Sequence, residues 1–206
     1  IQQAGFTTIT AGEVQISKPA RYLRKTPKGS RSLKVLCIGD SQTFGVGTTK
    51  TWPDYLQVLA SNTHGLGDLD VTNIAVGGTG AAYWGNQVID YSQYDYVMMM
   101  IGTNDVQGLT PIITYGNYMQ NIITDVKTQG AIPIVGIFPL WTTKANSGIG
   151  DPFAQNNQLA ARYRSELKSR CAITGAVVAN PLGYFGNNMG RMADNIHPDD
   201  QGCIAI

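Results

Sequence analysis

Charge is scarce in this 206-residue chain. Asp, Glu, Lys and Arg make up 14% of it and the net charge is +1, against about 25% charged residues in an average globular domain. That balance gives no electrostatic case for a nucleic-acid or acidic-membrane partner. Cysteine is also sparse: Cys37, Cys171 and Cys203 are three in number and unrelated in spacing. No Cys-x-x-Cys pair exists, which argues against a zinc site or a disulfide framework, and Cys37 reads as a small buried hydrophobe inside an apolar run. Only two histidines occur, His64 and His197, too few and too distant for a metal centre. No apolar run approaches the roughly 18 residues of a membrane span. No signal peptide is visible at Ile1, and a first residue other than Met suggests a processed or excised piece.

What is present points to one globular domain. Hydrophobic residues make up 43% and glycine contributes 24 positions, a composition suited to an α/β core and not to disorder. Residues 1–32 differ from the rest, with scattered Thr and Gln and then a basic stretch beginning at Arg21. They read as an N-terminal extension or linker that packs on a domain of residues 33–206. Apolar runs at Leu33–Ile38, Val71–Ala75, Tyr96–Ile101, Ile132–Ile137 and Ala176–Ala179 read as strands buried on both faces. Their alternation with helical segments predicts a parallel sheet of about five strands in a three-layer α/β/α, flavodoxin-like fold. Thr110 as N-cap with Pro111 at the first helical position predicts a helix that Gly130 stops. Asp151-Pro152 and Thr51-Trp52-Pro53 predict two more.

The first strand runs into Gly39-Asp40-Ser41-Gln42-Thr43-Phe44-Gly45. A serine is thereby set at the carboxyl edge of the sheet, where open α/β folds bind ligands. A serine hydroxyl attacks poorly unless a base takes its proton. His64 lies in a polar, glycine-rich turn and suits a solvated loop. His197 lies in Asp194-Asn195-Ile196-His197-Pro198, where Pro198 pushes it toward extended geometry. A carboxylate three residues earlier can fold back on the imidazole and fix its tautomer. Acyl transfer also needs donors for an oxyanion. Glycines in Val76-Gly77-Gly78-Thr79-Gly80 let an amide N–H approach a substrate. Asn104, in Gly102-Thr103-Asn104-Asp105, offers a side-chain amide. Three strands thus end in Ser, Gly and Asn at one sheet edge.

This ordered set of blocks resembles the SGNH hydrolases, the GDSL esterase/lipase family, over residues 33–206. The resemblance implies a three-layer α/β/α fold with a five-stranded parallel sheet and ester hydrolysis without metal or organic cofactor. It implies Ser41 as nucleophile, His197 as base, Asp194 as the residue orienting it, and an oxyanion hole from Ser41, Gly78 and Asn104, with Gly77 the neighbouring alternative for the glycine. Asp40 is expected to tie down the turn. Residues 1–32 have no counterpart in the family core, and the closing helix after the histidine block is expected to be short.

Other readings fit less well. A dinucleotide fingerprint needs a third glycine where this chain has Tyr83, and it should follow the first strand. No Gly-x-Ser-x-Gly elbow surrounds any serine. The expected enzyme is a carboxylic ester hydrolase, an O-deacetylase acting on a small-molecule or polysaccharide ester. Phe44, Trp84 and Trp141, with Tyr83, lie near strand ends and are candidates to line its substrate pocket, although aromatic residues fill cores as readily as they form sugar platforms. A non-catalytic carbohydrate-binding domain on the same fold is the alternative from another class, and a lipase or thioesterase the alternative within it. Low charge suits an extracellular or virion-associated setting, such as a phage tail fibre.

Overall fold

A computed structural model describes residues 32–63, 69–139, 154–182 and 189–206 of the chain. Five parallel strands form one sheet in the order β2-β1-β3-β4-β5, where β1 is Leu33–Gly39, β2 Leu69–Asn73, β3 Tyr96–Met100, β4 Ile132–Gly136 and β5 Val177–Ala179. This is the flavodoxin-like order, and its switch point lies between β1 and β3. Register aligns Val35 with Val71 on one side and with Tyr96 on the other. Met98 pairs with Ile134, and Ile134 with Val177. The expected strands are therefore present, with one shift. The second ends at Asn73 instead of Ala75, although the Ile74 and Val76 N–H groups still donate to the Cys37 and Gly39 carbonyls at 3.0 Å, and the Asn73 side chain braces this stretch. Its Oδ1 accepts from the Ala75 N–H at 3.1 Å and its Nδ2 donates to the Thr43 carbonyl at 2.9 Å.

The helices are α1 Ser41–Phe44, α2 Trp52–Thr63, α3 Ala81–Gly85, α4 Thr103–Gln107, α5 Ile112–Thr128, α6 Ala154–Thr174 and α7 Asp200–Ala205. Helix α2 opens on a reciprocal cap. The Thr51 hydroxyl accepts from the Asp54 N–H at 3.3 Å while the Asp54 carboxylate accepts from the Thr51 N–H at 2.8 Å, two orphan donors satisfied at once. Helix α5 corrects one expectation. Pro111, not Thr110, is its N-cap, and no side chain caps it. Thr110 is engaged elsewhere: its N–H donates to the Asp105 carbonyl at 2.9 Å and its hydroxyl serves the Asp105 carboxylate. Gly130 follows the helix at φ 93°, the left-handed geometry that glycine adopts without penalty. The beginning of the Asp151-Pro152 helix, like residues 1–31, His64 and Trp141, lies outside the described residues.

Tyr115, Met119, Ile122, Ile123 and Val126 of α5 are all buried. Helix α5 packs on α6, where Ala160, Tyr163, Leu167 and Cys171 form a buried stripe and the Tyr163 ring lies 5.2 Å from that of Tyr115. The Tyr115 hydroxyl donates to the Ile101 carbonyl at 3.0 Å, which lets a phenol sit fully inside the core. Burial pushes the thiols of Cys37 and Cys171 up to about 12, so both behave as core hydrophobes. No helix among the described residues is long and apolar enough to cross a membrane.

Candidate active site

The carboxyl ends of β1, β2 and β3 converge on one edge, and each contributes differently. After β1 the backbone must turn sharply, and Gly39 permits it. A Cβ there would lie 2.3 Å from Thr43 Oγ1 and 2.7 Å from the Met100 carbonyl. Asp40 then caps α1, its Oδ1 accepting from the Gln42 N–H at 3.0 Å. Ser41 is the first residue of that helix, so its hydroxyl leaves the sheet edge at a helix N-terminus. Gly45 ends the helix at φ 97°.

After β2, the glycine segment is laced to its surroundings. The Val76 N–H donates to the Gly39 carbonyl at 3.0 Å, and the Thr79 hydroxyl donates to the Val76 carbonyl at 2.8 Å. Gly77 lies against the nucleophile turn, where a Cβ would meet the Ser41 Cβ at 3.8 Å. Gly78 holds φ 78° with open space above it. After β3, Gly102 at φ 144° leaves no room for a side chain, since a Cβ would come within 2.4 Å of the Phe138 ring. Asn104 follows in α4 and donates one amide hydrogen to the Thr79 carbonyl at 3.0 Å. The second hydrogen of that amide is not used by this bond. Asp105 joins the two segments: its Oδ2 accepts from the Ala81 N–H at 2.9 Å, and burial raises its carboxyl above the ordinary range.

The histidine comes from the other end of the chain. A 3-10 turn at Met189–Arg191 leads into a loop closed by an antiparallel bridge between Met192 and Pro198. The Ala193 N–H donates to the His197 carbonyl at 2.9 Å. Asp194 folds back, as its spacing predicts. Its Oδ1 accepts from the N–H groups of Ile196 and His197, both at 2.7 Å, and its Oδ2 meets His197 Nδ1 at 2.7 Å. His197 Nε2 lies 2.9 Å from Ser41 Oγ. A carboxylate on Nδ1 requires the proton there, which leaves Nε2 free to accept from the serine. Burial alone would raise the Asp194 carboxyl, but the hydrogen bonds from the His197 ring and from the two N–H groups together hold it below the ordinary value.

Of the residues expected to line a pocket, Phe44 is 58% exposed and Tyr83 40%. Trp84 is a correction. It is 3% exposed and its indole N–H donates to Thr79 Oγ1 at 3.1 Å, so it belongs to the core beneath the glycine segment. The partner for its one polar atom is internal, which is what permits an indole to be buried.

Three further residues near the site have no catalytic role in the sequence reading, which gives only Asp40 a part, tying down the turn. Asp40 is fully buried, and burial raises its carboxyl to about 7 against the opposing influence of the Gln42 N–H, the Thr103 hydroxyl and His197. Gln42, 2% exposed, donates its side-chain amide to the Ile196 carbonyl at 2.9 Å. Arg164, 5% exposed, donates to the carbonyls of Phe138 at 3.0 Å and Pro139 at 2.8 Å, fixing the chain as it leaves β4. The turn-fixing role expected of Asp40 takes the form of a cap on α1, whereas no sequence signal marks Gln42 or Arg164. Among the described residues no group of His, Cys, Asp and Glu is placed to hold a metal ion.

A family model described as GDSL-like lipase/acylhydrolase matches residues 37–203. No curated protein sequence matches the chain. Solved structures match it closely in shape. A catalytic mutant of Axe2, an acetylxylan esterase from Geobacillus stearothermophilus, is 18% identical with a TM-score of 0.67, over 87% of this chain and 92% of that one. LAE5, an alpha/beta hydrolase enzyme from a Lake Arreo metagenome, is 20% identical with a TM-score of 0.64, over 85% and 92%. The psychrotrophic esterase EstA from Pseudoalteromonas is 15% identical with a TM-score of 0.66, over 84% and 92%.

Proposed function

The chain belongs to the GDSL-like lipase/acylhydrolase family, and on that premise we propose that it is a serine esterase that removes small acyl groups, acetyl first among them, from a carbohydrate ester. The observation that carries this reading is the unbroken hydrogen-bonded line from Ser41 Oγ through His197 to Asp194. Ser41 Oγ attacks the ester carbonyl while His197 Nε2 takes its proton. The imidazolium so formed is held by Asp194. The oxyanion is received by the N–H groups of Ser41 and Gly78 and by the unused amide hydrogen of Asn104. Collapse of the tetrahedral adduct breaks the bond to the leaving alcohol, which takes the proton back from His197. A water then repeats the sequence on the acyl-serine, releasing the acid and restoring Ser41.

The substrate assignment has separate support. Phe44, beside the serine, and Tyr83, beyond the glycine segment, are exposed and can pack against a sugar face. An acetylxylan esterase is among the structural neighbours. The test is hydrolysis of p-nitrophenyl esters of increasing acyl length by wild type and Ser41→Ala. Turnover that is fastest on the acetate and lost in the variant is expected. Preference for the octanoate would overturn the deacetylase assignment. Turnover unaffected in Ser41→Ala would remove the serine mechanism.

A further inference from the structure

We infer that Gln42 is a positioning residue that fastens the histidine loop to the nucleophile turn through the Ile196 carbonyl, an inference that rests on the serine-esterase reading above. The histidine loop owes its internal order to bonds among its own residues. Asp194 accepts two N–H groups within it, Ala193 bonds His197, and Asp199 N–H bonds the Arg191 carbonyl at 3.0 Å. Such bonds shape the loop but do not place it against the sheet edge. Further along, Asp200 bonds Thr49 and Lys50 in an exposed setting. Gln42 supplies an inner tie. It neighbours Ser41 in sequence, its amide reaches a residue 154 positions away at 2.9 Å, and that residue neighbours His197. One side chain therefore spans the residues flanking both partners of the Ser41–His197 bond. The amide orientation is fixed by its partner, because a carbonyl oxygen can accept only from the Nε2 end.

A second observation separates this role from ordinary packing. Gln42 Oε1 is buried with no hydrogen-bond partner among the described residues. A buried amide with one end unsatisfied is a poor choice for stability alone, and an apolar side chain of similar shape would suit the position better. What an apolar side chain would lack is the donor to Ile196. The geometry of attack is sensitive to small displacements, with about 10²-fold lost for a misplacement near 1 Å.

The experiment compares wild type, Gln42→Met and Gln42→Glu in the full chain. Gln42→Met keeps length and removes both polar atoms. Gln42→Glu keeps shape and sets an acceptor against the Ile196 carbonyl once its buried carboxyl ionises, so it is assayed from about pH 6 to about pH 9. Hydrogen exchange at the amides of Asn195, Ile196 and His197, together with kcat and KM on p-nitrophenyl acetate, are the readouts. Expected is loop exchange about tenfold faster or more in both variants, kcat lower by roughly 10- to 100-fold, KM within about twofold, Glu worse than Met, and a urea midpoint for Gln42→Met no lower than wild type. Unchanged exchange overturns the tie. Faster exchange with full kcat overturns its positioning role. A Gln42→Glu variant equal to wild type across that whole pH range, with only Met impaired, would mean that shape and not the donor matters, and overturns it as well. If wild type shows no Ser41-dependent turnover, the esterase reading fails and the exchange data decide the tie by themselves.

Discussion

The two halves of the candidate site are built in opposite ways. The half carrying Ser41, Gly78 and Asn104 is anchored by β1 and β3, whose residues are almost wholly buried, with Ile38 and Ile101 at 0% exposure; only β2, which leads to Gly78, is partly open. Its turns are fixed by steric closure at Gly39 and Gly102. The half carrying His197 and Asp194 has no strand or helix of its own between Met192 and Pro198. It is anchored at its ends by the buried Met192 and Pro198 and tied across by Gln42, but its own shape rests on short-range hydrogen bonds, and the Asp194 side chain is 54% exposed against 18% for His197. The sheet edge is held by core packing, which water cannot compete for. The histidine loop is held by polar bonds that water can replace at lower cost. Damage to the first half therefore threatens both fold and chemistry, whereas damage to the second is confined to chemistry.

The sharpest way to break that contrast is His197→Ala. On the proposed mechanism it removes the base and lowers kcat/KM on p-nitrophenyl acetate by about 10⁴-fold or more. Its thermal midpoint should stay within a few degrees of wild type, because the imidazole contributes to no core cluster. A large loss of stability would show that the loop is integral to the fold. Asn104→Ala, on the opposite half, is expected to cost about 10² to 10³ in kcat by loss of one oxyanion donor. It also removes the bond to the Thr79 carbonyl, so its midpoint should fall by more than that of His197→Ala. Equal midpoints for the two variants would mean that the two halves are held alike, and full turnover by Asn104→Ala would take the amide out of the mechanism.

The same contrast governs what could be read from the sequence. Strand ends were legible because each carries chemistry directly after an apolar run: Ser41 after β1, the glycines after β2, Asn104 after β3. The proximity of Asp194 to His197 was legible from a three-residue spacing beside Pro198. Long-range ties were not. Nothing local marks Gln42 as reaching Ile196, or Thr110 as bound to Asp105 instead of capping α5. Trp84 misled for the related reason that exposure is a tertiary property: its position after a strand is a surface signal, and only the Thr79 hydroxyl beneath the loop explains its burial. Nor does apolar periodicity register that Asn73 braces the segment after β2, through the Ala75 N–H and the Thr43 carbonyl.

The smallest expected effect concerns the joint between the halves. Asp40 is 0% exposed, caps α1, and interacts electrostatically with His197. Burial raises its carboxyl from 3.8 to about 7 in the folded protein. Below the lower value both folded and unfolded chains hold the proton, and pH has no leverage through this group. Between the two values the folded chain keeps a proton that the unfolded chain releases, so rising pH favours unfolding, by about 1.4 kcal/mol per pH unit in that window. Above the upper value the loss is complete and the slope vanishes. Asn is a strong N-cap and presents the same oxygen to the Gln42 N–H, so Asp40→Asn keeps the cap and removes the titration. The variant should match wild type near pH 4 and exceed it at pH 8, by roughly 2 to 4 kcal/mol in urea unfolding. Parallel stability curves across that range would mean that the carboxylate is compensated on the folded side, and that the cap is as well served charged as neutral.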